Sequence, residues 1–227
     1  MSDSIHRTQL ELFDLADTVE DVVELFPEIW QALEMVVSPE VEIRLRGLEL
    51  IRKRNAERFS PLVAYVLATC LEDEDIDFRL KVVQSIGGIF TSEFPGFISL
   101  AEVKKIVKHY LSQMRQRKIF ALLQVAEYQP SVREEVAQLL KACSYSGKIM
   151  ADIFSDHKLP LEIRSQAIYF VGYLGFLETI PRLERLKERL ESRINGQRSM
   201  PFVLKSGSED VSLLPKIRTS LVLLKSP

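Results

Sequence analysis

One short pattern recurs along the chain and limits its fold more than any other feature. It is an apolar residue, then arginine, then apolar or small residues at helical spacing. In Leu159–Gly175 (LPLEIRSQAIYFVGYLG), Ile163–Arg164 is followed by Ala167, Ile168, Val171 and Leu174, which share one face of a helix. Pro160 suits the first turn of that helix, where its missing N–H would have no partner. The pattern returns at Ile43–Arg44 with Gly47, Leu48 and Ile51, and at Phe78–Arg79 with Val82, Val83 and Ile86. It returns again at Val132–Arg133 with Val136, Ala137 and Leu140, and at Ile217–Arg218 with Leu221. Such stripes stay wet on an isolated helix and are buried when like units stack, as in helical-repeat proteins. Arg44 and Arg79 stand 35 residues apart, near the period of two-helix repeats.

Composition agrees. Of 227 residues, 46% are hydrophobic, enough for a sizeable core, while only 9 glycines and 10 prolines interrupt helices. A formal net charge of −2 weighs against a dedicated duplex-DNA binder. Cys70 and Cys143 each lie within an apolar helical pattern and read as buried thiols of a reducing compartment. The opening MSDSIHRTQLELFDLADTVED has no apolar segment of the secretory kind, and no run reaches the ~20 apolar residues of a membrane span. The expected location is the cytoplasm.

The expected organisation is a single all-α domain over 1–227 with eleven or twelve helices. Thr18 and Asp21 have capping-box spacing and open a helix through Val37. Its stripe carries Val22, Val23, Phe26, Ile29, Trp30 and Leu33, so Trp30 reads as core. Ser38–Pro39 and Ser60–Pro61 each read as an N-cap followed by a first-turn proline. Ser99 with Glu102, and Ser131 with Glu134, open further helices, and Gly87–Gly88 reads as a helix end. Thr91–Phe97, with Pro95 and Gly96, is a break. Between 91 and 145 the repeat phase is ambiguous: Lys118 stands where arginine belongs, and Arg133 marks either its own repeat or a chance match. A charged helix over 177–194, a long loop Asn195–Asp210 and a closing helix Val211–Leu224 complete the chain.

In DEDIDFRLKVVQSIGG, LPLEIRSQAIYFVGYLG and SPEVEIRLRGLELI the chain resembles the HEAT-repeat family, and its short bacterial HEAT-like repeats in particular. The resemblance covers roughly 20–90 and 145–224. It implies a right-handed α-solenoid of helix pairs, serving as a non-catalytic scaffold that holds another protein on its concave face. It also implies that Arg44, Arg79, Arg164 and Arg218 form a structural ladder between repeats. A guanidinium, with five donors, suits carboxylates and helix-end carbonyls, and Glu40, Asp75, Asp77, Glu162 and Asp210 lie near these arginines. Two rivals carry HEAT-like repeats. DNA-alkylation glycosylases use a basic, aromatic-lined concave face, which one tryptophan and a charge of −2 do not supply. Phycobilin lyases are the second, and no catalytic set supports them here.

The residues that carry chemistry elsewhere are not arranged for it. Asp73, Asp75 and Asp77 open like a calcium loop, but Phe78 takes the place of its glycine and Gln84 that of its bidentate glutamate. An acidic turn favouring the next helix N-terminus is the better reading. His6, His109 and His157 have no metal-ligand spacing, and no phosphate-binding glycine loop is present. No catalytic, cofactor or metal site is expected. Lys104, Lys105, Lys108, Arg115, Arg117 and Lys118 form a basic cluster, read as a solvated face or as a phosphate contact. The expected partner surface, counted along each arginine-bearing helix, is Arg46, Glu49, Lys53, Lys81, Gln84, Gln166, Tyr169 and Tyr173. Phe202 is the expected anchor of an apolar run, Met200–Leu204, by which the long loop folds back onto the last helix pair or docks on a partner, a disordered insertion being the alternative.

Overall fold

The computed structural model describes residues 27–91, 99–199 and 208–226. Among them every regular element is helical. The helices are α1 (27–36), α2 (Val41–Lys53), α3 (Ala56–Phe59), α4 (Pro61–Thr69), α5 (Ile76–Thr91), α6 (Ala101–Ser112) and α7 (Gln116–Tyr128). They continue with α8 (Arg133–Ala142), α9 (Ser146–Ser155), α10 (Leu161–Leu174), α11 (Ile180–Ser199), α12 (Ser208–Val211) and α13 (Leu214–Lys225). Two of these, α3 and α12, are single turns. The protein is thus all-α, with about twelve packed helices.

Some boundaries follow the local chemistry read from the sequence. The Ser60 hydroxyl accepts the Val63 N–H at 3.3 Å, with Pro61 in the first turn of α4. The acidic turn is consumed by backbone and neighbours. Asp75 accepts the Phe78 N–H at 2.8 Å at the start of α5, Asp73 accepts the Asp75 N–H at 2.9 Å, and Asp77 accepts the Tyr128 hydroxyl. Gly175 closes α10 at φ 74°, where a side chain would be strained.

Other boundaries differ. α2 starts after Glu40, because the Ser38 hydroxyl turns to the Glu40 backbone and carboxylate instead of capping the helix. α6 starts after Leu100, while Ser99 is buried beside Arg58. Ser131 lies in the 3-10 turn Pro130–Val132 that precedes α8. Trp30 is 43% exposed; Ala32, Leu33 and Val36 hold the inward face of α1 instead. The expected loop Asn195–Asp210 is shortened from both ends, since α11 runs to Ser199 and α12 begins at Ser208. The Thr18–Asp21 cap, Val22, Val23, Phe26, His6, the Pro95–Gly96 break and Phe202 with its apolar run lie outside the described residues.

One continuous apolar core runs from Ala32 to Leu224. α2, α5 and α8 pack in succession, and α10 packs between α9 and α13. Where the phase was ambiguous, α7 lies against both α8 and α10. Gly87 is not a helix end. It sits inside α5 at the crossing with α8, where an added Cβ would collide with the Glu135 side chain and lie 2.9 Å from its Cα. Gly172 plays the same part between α10 and α13: an added Cβ would lie 2.7 Å from Ser220 Cβ. The Ser220 hydroxyl then donates to the Ile168 carbonyl at 2.8 Å, closing the contact with a buried hydrogen bond.

The arginines connect these layers. Arg44 donates to the Ser38 and Pro39 carbonyls (3.1 and 2.8 Å) and to Asp73 at 3.0 Å. Arg164, 1% exposed, donates to the Phe154 carbonyl at the end of α9 and pairs with Asp210 in α12. In both cases the acid sits just before the next helix that carries the apolar–arginine pattern, α5 or α13, not in the turn of the arginine's own helix. Arg79 is part-buried beside Asp73 and Asp75; burial draws its pKa down, and the two carboxylates oppose that. Arg218 is exposed and pairs with Glu191 of α11 at 2.8 Å.

Two expected outcomes test this packing by urea unfolding. Gly87→Ala and Gly172→Ala gain up to about 1 kcal/mol of helix propensity. Overpacking at a fixed crossing costs about 1–3 kcal/mol, so both midpoints fall. Arg164→Ala removes the buried side of its pair, leaves the part-buried Asp210 only the longer contact with Arg193, and costs about 3 kcal/mol, whereas Arg218→Ala changes stability by less than about 1 kcal/mol. Equal effects at the two arginines would contradict the assignment of Arg164 as the buried tie.

Candidate partner-binding face

The residues expected on the partner surface fall into two groups. On α2 and α5, Glu49 and Lys81 meet at 3.3 Å, with Arg46 exposed and Gln84 half-buried. Lys53 lines a cavity of about 320 Å3 with Glu28, Leu50 and Arg54. On α10, Gln166, Tyr169 and Tyr173 come together with residues from three other helices.

The α10 group is built by helical spacing. Positions 166, 169 and 173 fall on one side of the helix, while Ala167, Ile168, Phe170 and Val171 fill the core. Gln166 is buried and its amide donates to Glu127 of α7. Tyr169 and Tyr173 are exposed and stack with ring centroids 5.6 Å apart and planes 10° from parallel. Arg133, the first residue of α8, lies with its guanidinium 5.1 Å from the Tyr169 centroid, as Arg44 lies over Phe78 at 5.3 Å. The Tyr173 hydroxyl donates to Glu134 at 2.7 Å, a bond that raises the phenol pKa. The same bond, then that from Gln138, lowers the pKa of the Glu134 carboxyl.

Beside the tyrosines is a cavity of about 310 Å3 between α8, α10 and α13, lined by Arg133, Gln166, Tyr169, Lys216, Thr219 and Leu223 among others. Its α13 residues were not foreseen. Their only sequence signal is that 216, 219 and 223 share one side of a helix whose opposite side carries Leu214, Ile217, Leu221 and Leu224.

The basic cluster is divided. Lys118 and Arg117 pair with Glu72 at 3.0 and 3.3 Å, and Lys118 lies over the Tyr110 ring. Burial works against the Lys118 charge, but Glu72 and Tyr110 outweigh it and raise the pKa. Lys104 and Lys108 line a separate groove of about 610 Å3 with Lys141, Gln138 and Phe90. Lys105 and Arg115 are exposed. His109 and His157 are exposed and far apart in the chain, and no metal-ligating cluster occurs among the described residues. Cys70 and Cys143 are free, and burial raises the Cys70 pKa.

No protein-family model matches the chain, and neither a curated protein nor a solved structure matches it. The architecture therefore defines the class: an all-α protein of packed helices, consistent with a helical-repeat fold in general. Its most distinctive surface is the tyrosine-bearing face of α10.

One buried carboxyl stands apart from this face. Glu57 of α3 is 5% exposed, with Oε2 lacking a hydrogen-bond partner. Burial raises its pKa, against its own backbone amide, Arg58 and Arg52. A folded-state pKa above the unfolded one makes the ionised group a net cost above both values, and the cost vanishes as pH falls below the unfolded pKa. Glu57→Gln is therefore expected to raise the urea midpoint at neutral pH, with the gain shrinking towards about pH 4. A gain that grows on acidification would reverse the sign.

Proposed function

We propose that this protein is a non-catalytic helical-repeat scaffold of HEAT-like type, a right-handed solenoid of helix pairs that holds another protein on its concave face or through the 195–210 loop. The ladder supports the repeat reading: Arg44 to Asp73 and Arg164 to Asp210 use the same device at two distant places in the chain. The observation that carries the binding role is the stacked, exposed pair Tyr169 and Tyr173 beside the α8–α10–α13 cavity. Tyrosine combines apolar area, a polar tip and little side-chain entropy, which is why it is enriched where proteins bind. Glu49, Lys81 and Arg46 extend the surface along α2 and α5, and Phe202 remains a candidate anchor of the same partner. Two free thiols suit the cytoplasm as the place of action.

Affinity capture from native lysate tests this, with the wild-type chain compared with Tyr169→Ala and Lys81→Glu. Each variant is first shown to keep its urea midpoint. Tyr169→Ala is expected to weaken capture about 30-fold, the loss of one hot-spot side chain. Lys81→Glu, which sets a like charge against Glu49, weakens it less. Capture unchanged in both would place the binding surface elsewhere.

A further inference from the structure

We infer that the cavity between α8, α10 and α13 is a carboxylate-binding subsite, and that its occupant is an acidic but otherwise apolar peptide segment of the protein partner. This rests on the scaffold reading and makes it specific. The starting point is a contrast among the arginines. Arg44 and Arg164 each meet an aspartate and at least one helix-end carbonyl. Arg133 follows Val132 in the same sequence pattern, yet it forms no ion pair among the described residues. Its guanidinium rests on the Tyr169 ring, and its Nε, like that of Arg44 and Arg79, is buried with no acceptor, so the difference lies in the missing carboxylate. A guanidinium partly withdrawn from water is stabilised by an anion: Arg44 and Arg164 each pair with an aspartate, and Arg79 stands beside Asp73 and Asp75.

The rest of the cavity fits an incoming anion. Lys216, on the facing wall, spends one donor on the Ser165 hydroxyl and keeps others. Two carboxylates near the tyrosines are already engaged: Glu127 accepts from Gln166, and Glu134 accepts from Tyr173 and Gln138. Neither lines the cavity. Two cations therefore face a space of about 310 Å3, room for one or two side chains.

The walls decide what kind of acid enters. Tyr169, Pro215 and Leu223 make most of the lining apolar, and Leu223 and Tyr173 continue that surface outward at 54% and 49% exposure. A free small acid would leave this surface wet. A nucleic-acid strand would place successive phosphates against it, where the lysine groove of α6 and α8 offers better contacts. A carboxylate flanked by apolar side chains matches both the charges and the walls.

The test uses the full chain, 15N-labelled, and two acetylated, amidated tetrapeptides. One is leucine–glutamate–phenylalanine–leucine; the other has glutamine in place of glutamate. The glutamate peptide is expected to shift the Arg133 Nε–H signal and the backbone signals of Thr219 and Leu223 saturably. The glutamine peptide binds about tenfold more weakly. Arg133→Gln and Lys216→Gln each bring the glutamate peptide to the glutamine level. Should Arg133→Gln fail to fold, the exposed Lys216→Gln carries the comparison. Equal binding of the two peptides, no shifts from either, or displacement by single-stranded DNA with steep salt dependence each overturns the inference. Any of these results beside partner capture that is lost with Tyr169→Ala leaves the scaffold reading standing. Capture that survives both Tyr169→Ala and Lys81→Glu places the binding surface elsewhere and overturns the subsite with it.

Discussion

A charged side chain at 1% exposure is among the most demanding things a fold can contain, and Arg164 is such a side chain. Its charge is tolerated because three separate elements converge on it: α10 carries it, the end of α9 offers the Phe154 carbonyl, and α12 offers Asp210. Remove any of the three and the buried junction loses one of the contacts that offset its desolvation. The short turn Ser208–Val211 therefore has a position fixed by electrostatics as much as by apolar contact. Arg193 approaches the second oxygen of Asp210 at 3.6 Å, so α11 is drawn into the same junction. The C-terminal third of the molecule is organised around one buried cation.

Close backbone approach is the second constraint. Helices that cross at Gly87 and Gly172 sit nearer than side chains would permit, and the surfaces opposite them, Glu135 and Ser220, are fitted to that distance. At the second crossing this has a consequence for the candidate site. Drawing α13 onto α10 sets Lys216, Thr219 and Leu223 beside Tyr169. The tyrosine face owes its cavity to a missing methyl group on the other side of the helix contact.

Much of this was legible in the sequence, for identifiable reasons. Helical stripes are local, so the helix count and most inward faces could be read directly; the Ser60–Pro61 start has a self-contained chemistry and also survived. What was not legible depends on residues distant in the chain. Ser38, Ser99 and Ser131 have the right types for caps, but neighbours claim their hydroxyls or shift the helix start. Gly87–Gly88 has the composition of a helix end and is instead a crossing point, a distinction only α8 can make. Trp30 lies on a helical stripe yet leaves the core, because smaller neighbours fill the inward face of α1. Asp210 was visible as an acid near Arg218, but its pairing with Arg164 required knowing how α10 and α13 stack. The tyrosines of the candidate face were found by counting along one helix; the cavity beside them needed two more.

The direction of the arginine pairs bears on how the chain comes together as it is made. Arg44 precedes its aspartate by 29 residues and Arg164 precedes its own by 46. Synthesis runs from the N-terminus, so each cation leaves the ribosome well before the anion that will neutralise it, and the helix bearing it cannot bury its charge until the following unit has emerged. The units of Arg44 and Arg164 thus each end in an open electrostatic request answered later in the chain, whereas Arg218, near the C-terminus, pairs back to Glu191. Growth of the structure is biased to proceed in chain order, and premature closure of a partial chain is disfavoured by the charge it would have to enclose.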